Sequence, residues 1–163
     1  DFLCLSKGIT GGYLPLSVVL TRKSIYEAFY DEQVTRGFLH SHSYTGNPLA
    51  CRAALATLDI FEQDRVIEAN RSRSARLTAA MEAIARHPRV RHFRSTGMIW
   101  AFDIDTDDAG FAHKFFTAAL ERELLLRPIG NTVYFMPPYV ISDPEIALLA
   151  ARTTELLDTL PGR

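Results

Sequence analysis

The chain opens with Phe2-Leu3-Cys4-Leu5, an unbroken apolar run preceded by Asp1 alone. A strand this apolar needs cover on both sides, as in a sheet sandwiched between helices. A second aliphatic run, Leu16 to Leu20, follows a loop holding Gly8, Gly11, Gly12 and Pro15 and predicts a second short buried strand. With no cap, turn or polar lead-in before it, the first run is expected to belong to something longer, and to stand here as an unpaired apolar edge.

Downstream the pattern becomes helical. Lys23 to Tyr30 predicts a short helix with Ile25, Ala28 and Phe29 on one side, and residues 31 to 48 a long polar loop of the kind that usually carries function. Pro48, well placed in a first turn, starts a helix through Leu49, Ala53, Ala54, Leu58 and Phe61. Asn70, Ser74, Leu77, Met81 and Ile84 recur at spacings of three and four, so a single helix is expected over Arg65 to Arg86, its arginines forming a solvated face. Strands are expected at Val90–Phe93 and Ile99–Ile104 around Gly97, a helix at 110–123, extended segments at Leu124–Leu126 and Val133–Met136, and a last helix capped by Ser142 with Glu145 three residues on. The character changes near residue 65, from apolar strands and a chemically rich loop to an α+β unit.

Composition narrows the function. A formal charge of −1 over 163 residues supplies no field to gather nucleic acid or anionic lipid, so phosphate recognition must be local. No apolar stretch approaches the roughly 18 residues that cross a bilayer, and no leader opens the chain, which predicts a cytoplasmic protein without a membrane partner. Cys4 and Cys51 lack any CxxC spacing and are expected to be small buried hydrophobes.

Three groups can carry chemistry. Lys7 ends the first strand beside glycines; a partly desolvated ammonium loses its proton more easily, and only the neutral amine attacks a carbonyl. His40-Ser41-His42-Ser43-Tyr44-Thr45-Gly46-Asn47 gathers hydroxyl and imidazole groups just before a helix start, a seat for phosphate or else a set of ordinary caps and turns. His40 and His42 face alike in an extended segment, yet no Asp, Glu or Cys at ligand spacing completes a metal shell, and no G-x-S-x-G elbow supports a serine hydrolase. Arg127, before Pro128 and Gly130, offers a planar fork for a carboxylate, or is a surface arginine before a turn.

In this order, Leu5-Ser6-Lys7-Gly8-Ile9-Thr10-Gly11-Gly12-Tyr13, then His40 to Ala50, then Arg127-Pro128-Ile129-Gly130, the chain resembles the C-terminal part of a fold-type I, class III aminotransferase dependent on pyridoxal 5'-phosphate (PLP). The likeness covers essentially the whole chain. The segment Arg127 to Tyr139 is similar to the branch of the family in biotin biosynthesis, which implies transfer of an amino group from S-adenosylmethionine to 8-amino-7-oxononanoate; other branches act on ω-amino acids or diamines, and a truncated, non-catalytic remnant is the reading outside enzymes. The resemblance implies an α/β fold in which residues 1–62 end the PLP-binding large domain and 63–163 form a small α+β C-terminal domain. It makes Lys7 the residue that holds PLP covalently and moves the substrate proton. Ser43 falls where relatives bind the phosphate by a hydroxyl, and His42 where some have proline. Ser41 lies next to the substrate, Arg127 pairs with its carboxylate and Tyr134 lines the same pocket. A homodimer with shared active sites is implied, because the phosphate-binding segment reaches the partner subunit. The aspartate that holds the pyridine nitrogen lies upstream of this chain in the family, so these residues alone are expected to be inactive.

Overall fold

The computed structural model describes residues 1–160, which divide into two compact units, Asp1–Val66 and the remainder from Ile67 on.

In the first unit, β1 (Phe2–Leu5) pairs antiparallel with β2 (Val18–Thr21) along its whole length, from Phe2 opposite Thr21 to Leu5 opposite Val18. The expectation of an unpaired edge is corrected on one side only: β2 pairs one side of β1, and in a sheet of two strands the other side remains an apolar edge. The intervening loop turns the chain back through Gly11 and Gly12, both in left-handed backbone (φ 61° and 83°) that a side chain would resist. The expectation of buried strands is corrected as well: all four residues of β1 are exposed, Phe2 by 64%. The cause is a sheet of only two strands, which leaves their apolar side chains uncovered within this unit. Cys4 on β1 and Cys51, both expected to be buried, are exposed.

A short helix, α1 (Lys23–Glu27), follows β2 and stops three residues before the expected Tyr30. The long polar stretch after it holds one 3-10 turn, Val34–Arg36, and is otherwise irregular. α2 (Pro48–Gln63) starts where its proline predicts, because the Asn47 side chain accepts from the N–H groups of Leu49 and Ala50 at 3.0 and 3.1 Å, satisfying two donors that the first turn cannot pair itself. In this unit only Thr10, Ala50 and Ala54 are buried.

The second unit has a core of its own. The helix expected over Arg65 to Arg86 is two: α3 (Val66–Ala80) and α4 (Glu82–Ala85). Met81, between them, has ψ near 3°, yet its N–H still reaches the Leu77 carbonyl at 3.0 Å and its own carbonyl accepts from Ala85, so the hydrogen-bond ladder runs on through the irregular residue. Leu77, Met81 and Ile84 keep their spacing and are fully buried. They pack in one cluster with residues of the antiparallel sheet β3 (Val90–Thr96), β4 (Ile99–Ile104) and β5 (Thr132–Phe135), ordered β3-β4-β5. Strand β4 shows the period of two that a half-buried strand requires: Trp100, Phe102 and Ile104 enter the core while Ile99, Ala101 and Asp103 face away from it. The Trp100 indole donates to Thr78 Oγ1 at 3.0 Å, so its one polar atom is not left unpaired.

α5 (Phe111–Leu120) and α6 (Asp143–Thr159) complete the unit. α6 begins with the expected capping box: the Ser142 N–H donates to Glu145 Oε2 at 2.7 Å while the Ser142 hydroxyl serves the first turn. Leu124 to Leu126 joins no strand, although Leu124 and Leu126 are buried and Leu125 is exposed, an alternation that lays one edge of the segment on the core. No described helix is long and apolar enough to cross a membrane.

Candidate active site

Lys7 leaves β1 and opens a 3-10 turn, Lys7–Thr10. Its backbone sits at φ 51°, left-handed space that costs a residue with a Cβ about 1 kcal/mol or more. The turn is closed behind it: Gly11 donates its N–H to the Gly8 carbonyl at 2.9 Å, and the buried Thr10 hydroxyl donates to the Leu14 carbonyl at 2.5 Å. A Cβ on Gly11 would lie 3.3 Å from Thr57 Oγ1 on α2, so this glycine is also what lets the turn approach the helix. The Lys7 side chain is exposed, which corrects the expected desolvation: the two-stranded sheet supplies no cover for it. Its amine has no ion-pair or hydrogen-bond partner among the described residues.

The segment His40–Asn47 is held by its own hydrogen bonds. The His42 N–H donates to Thr45 Oγ1 at 3.1 Å, the Thr45 N–H returns to the His42 carbonyl at 2.8 Å, and the Tyr44 N–H donates to His42 Nδ1 at 3.1 Å. Gly46 at φ 71° then turns the chain into the Asn47 cap. The cap has a chemical consequence: it occupies two of the N–H groups at the helix start that an anion would otherwise use.

These two segments border one open cavity of about 790 Å³. The first contributes Lys7, Leu14 and Leu16, the second His42, Thr45 and Asn47. No Asp or Glu lines it. Ser41 and Ser43, expected beside the substrate and the phosphate, are exposed, do not line this cavity, and form no hydrogen bond among the described residues. Thr45 went unremarked in the sequence; it is one hydroxyl among many in the segment, and only its bond back to His42 marks it out. Among the described residues, no group of three or more His, Cys, Asp or Glu is placed to hold a metal ion.

Arg127 and Tyr134 belong to the second unit. Arg127 is exposed, without a partner among the described residues, and precedes a tight reversal in which Ile129 and Thr132 exchange N–H···O bonds of 2.9 and 3.0 Å around Gly130 at φ 56°. Tyr134 is half-buried on β5, directly across from Ala101, which in turn faces Arg94 on β3. This outer face carries a polar cluster centred on Asp103, which accepts two bonds of 3.1 Å from Arg94, one of 2.7 Å from Thr132 and one of 3.0 Å from His92. The Arg94 guanidinium above all holds the Asp103 carboxyl down to about 2, against the opposing effect of burial and with Thr132 and His92 adding to it.

The donor set suits PLP. A lysine amine free of acidic partners meets an aldehyde, and hydroxyl and imidazole groups close by meet a phosphate. The lining supplies no carboxylate for a pyridine nitrogen.

The aminotransferase class-III family matches residues 1–157. The adenosylmethionine-8-amino-7-oxononanoate aminotransferase of Helicobacter pylori is 47% identical, over 98% of this chain and 38% of its own length. The crystal structure of the enzyme of that name from Methanocaldococcus jannaschii superposes with a TM-score of 0.89 at 34% identity, over 97% of this chain and 38% of that one. An amine transaminase from an uncultivated Pseudomonas species, in its PLP-bound form, gives a TM-score of 0.83 at 30% identity, over the same shares of the two chains. This chain thus spans about 38% of the length of these relatives.

Proposed function

The chain belongs to the class III aminotransferases and carries part of their α/β fold-type I architecture, and from that premise we propose that the complete protein is a PLP-dependent enzyme moving an amino group from S-adenosylmethionine to 8-amino-7-oxononanoate in biotin biosynthesis. The observation that carries this reading is the single cavity bordered by Lys7 and by the segment His40–Asn47. Donor and acceptor are taken from the name borne by the Helicobacter pylori and Methanocaldococcus jannaschii relatives.

PLP supplies an aldehyde and a ring that withdraws electrons. Lys7 Nζ would hold that aldehyde covalently and would carry the proton from the substrate carbon to the cofactor carbon that had been the aldehyde. Leu14 and Leu16 give the cavity apolar wall for the apolar part of a ligand. Arg127 grips the carboxylate of the keto substrate in a two-bond fork, and Tyr134 lines that pocket.

Ser43 donates its hydroxyl to the cofactor phosphate, and Ser41 lies next to the substrate. That both are exposed, unpaired and absent from the cavity of their own chain's Lys7 supports their serving a second copy, hence a homodimer with shared sites. Residues 1–62 form the end of the large domain and 63–163 the small one, and the reading places the enzyme in the cytoplasm with small-molecule substrates.

The test is chemical. The complete protein is incubated with PLP, reduced with borohydride and digested, and the adduct is expected on the peptide carrying Lys7. Lys7→Ala should abolish both adduct and turnover; an adduct that survives this substitution overturns the assignment. A panel of amino donors, read by loss of absorbance from the lysine-bound cofactor, should single out S-adenosylmethionine; a preference for a diamine or ω-amino acid refutes the substrate assignment while leaving the class intact.

A further inference from the structure

We propose that Thr10 is a positioning residue for Lys7: its buried hydroxyl fixes the turn that sets the direction of the lysine side chain, and with it the alignment of the amine in the cavity. The inference rests on the reading of Lys7 given above. Among the described residues of the first unit, Thr10 is the one buried polar side chain, 1% exposed. It does not line the cavity itself. Its hydroxyl donates to the Leu14 carbonyl at 2.5 Å, and its own carbonyl accepts the Tyr13 N–H at 3.2 Å.

The Thr10 hydroxyl joins two walls of one cavity. Ser6 and Lys7 border it from one end of the loop and Leu14 to Ser17 from the other, and the bond from Thr10 to Leu14 ties the two ends together. Lys7 stands at φ 51°, backbone that a residue with a Cβ holds only where its surroundings fix it. The main-chain bonds from Gly11 to Gly8 and from Tyr13 to Thr10 act within the turn; the Thr10 hydroxyl anchors the turn to the segment that enters β2. No substitute donor stands ready on α2. Thr57, whose Oγ1 would lie 3.3 Å from a Cβ on Gly11, already donates its hydroxyl to the Ala53 carbonyl at 3.0 Å. Loss of the Thr10 donor therefore frees the turn, and the backbone at Lys7 relaxes toward an ordinary φ that points the amine elsewhere.

Two substitutions separate positioning from mere support of the fold. Thr10→Val keeps the shape of the side chain and removes the donor; Thr10→Ser keeps the donor. In the complete protein loaded with PLP, Thr10→Val should lower kcat roughly tenfold while the KM for the keto substrate stays within about twofold, because a misdirected amine slows proton transfer and leaves substrate binding alone. Thr10→Ser should return kcat to within about threefold of the parent. If Thr10→Val melts at a lower temperature yet keeps the parental kcat, Thr10 is a fold contact only and the proposal falls. It falls equally if Thr10→Ser is as slow as Thr10→Val. Should Thr10→Val fail to fold, Thr10→Cys, of similar size with a weaker donor, takes its place. A kcat below that of Thr10→Ser then supports the proposal, and a parental kcat overturns it.

A second readout needs no bound cofactor. In the complete apo protein with ¹³C-labelled lysine, the Lys7 Cα and Cβ shifts should report left-handed backbone in the parent and in Thr10→Ser, and should move toward the ordinary range in Thr10→Val. Unmoved shifts in Thr10→Val refute the inference. Absence of a PLP adduct on Lys7 in the parent would instead count against the Lys7 reading, and these shifts would still report whether Thr10 holds the backbone.

Discussion

Asp103 accepts bonds from three neighbouring side chains on the outer face of the second unit's sheet, and Arg94 accounts for most of its lowered pKa. A carboxyl whose folded pKa of about 2 lies below its usual 3.8 contributes stability that is fully present above pH 3.8 and is lost as the pH falls through 2. Because the site is partly open to solvent, that contribution is on the order of 1 kcal/mol. The denaturant midpoint of Asp103→Asn should thus fall below the parent's at pH 6, and the gap should close by about pH 2; a gap constant across that range contradicts the pairing. Arg127→Ala should leave the fold intact, since its side chain has no partner to lose among the described residues. It should raise the KM for the keto substrate by roughly ten- to a hundredfold, the cost of a lost charged hydrogen bond. An unchanged KM moves the carboxylate site elsewhere. Lys7 and His42 were marked by contiguous motifs, and the structure brings both to the border of one cavity; Arg127, marked in the same way, stands exposed in the second unit. Thr45 was not, since its part depends on a bond that only the folded loop brings about.

At the scale of elements, the short-range chemistry was legible and the pairing was not. The α6 capping box and the α2 start follow from residues adjacent in the chain, Ser142 with Glu145 and Asn47 with Pro48. Strands β1 and β2 were found as apolar runs, but their antiparallel partnership depends on a reversal through Gly11 and Gly12 that a continuous apolar pattern does not encode. The irregular backbone at Met81 escaped for a related reason: the spacing of Leu77, Met81 and Ile84 is unbroken across it, so periodicity alone reads one helix. Asn47 joins the loop to α2, and removing its side chain frees the N–H groups of Leu49 and Ala50 at once. Asn47→Ala should cost about 1 kcal/mol in thermal or denaturant unfolding, and Asn47→Asp, which keeps an acceptor, far less. Equal losses in the two variants exclude the cap as the cause.

Over the whole chain, the two units differ in what holds them. The second buries Trp100, Phe102, Phe115 and Phe135 in one cluster; the first buries a threonine and two alanines and leaves Phe2, Leu3, Val19 and Leu20 in water. Buried apolar area is the main source of stability, so local opening should be far easier in the first unit. Hydrogen exchange on these 163 residues alone should show amides of β4 and α6 protected longest and those of β1 and β2 exchanging first. Equal protection would mean the first unit needs no further cover. The backbone at Lys7 adds a constraint of another kind. Its left-handed twist is a shape glycine adopts without penalty, so a laboratory selection for thermal endurance alone would drift toward glycine at this position and discard the amine.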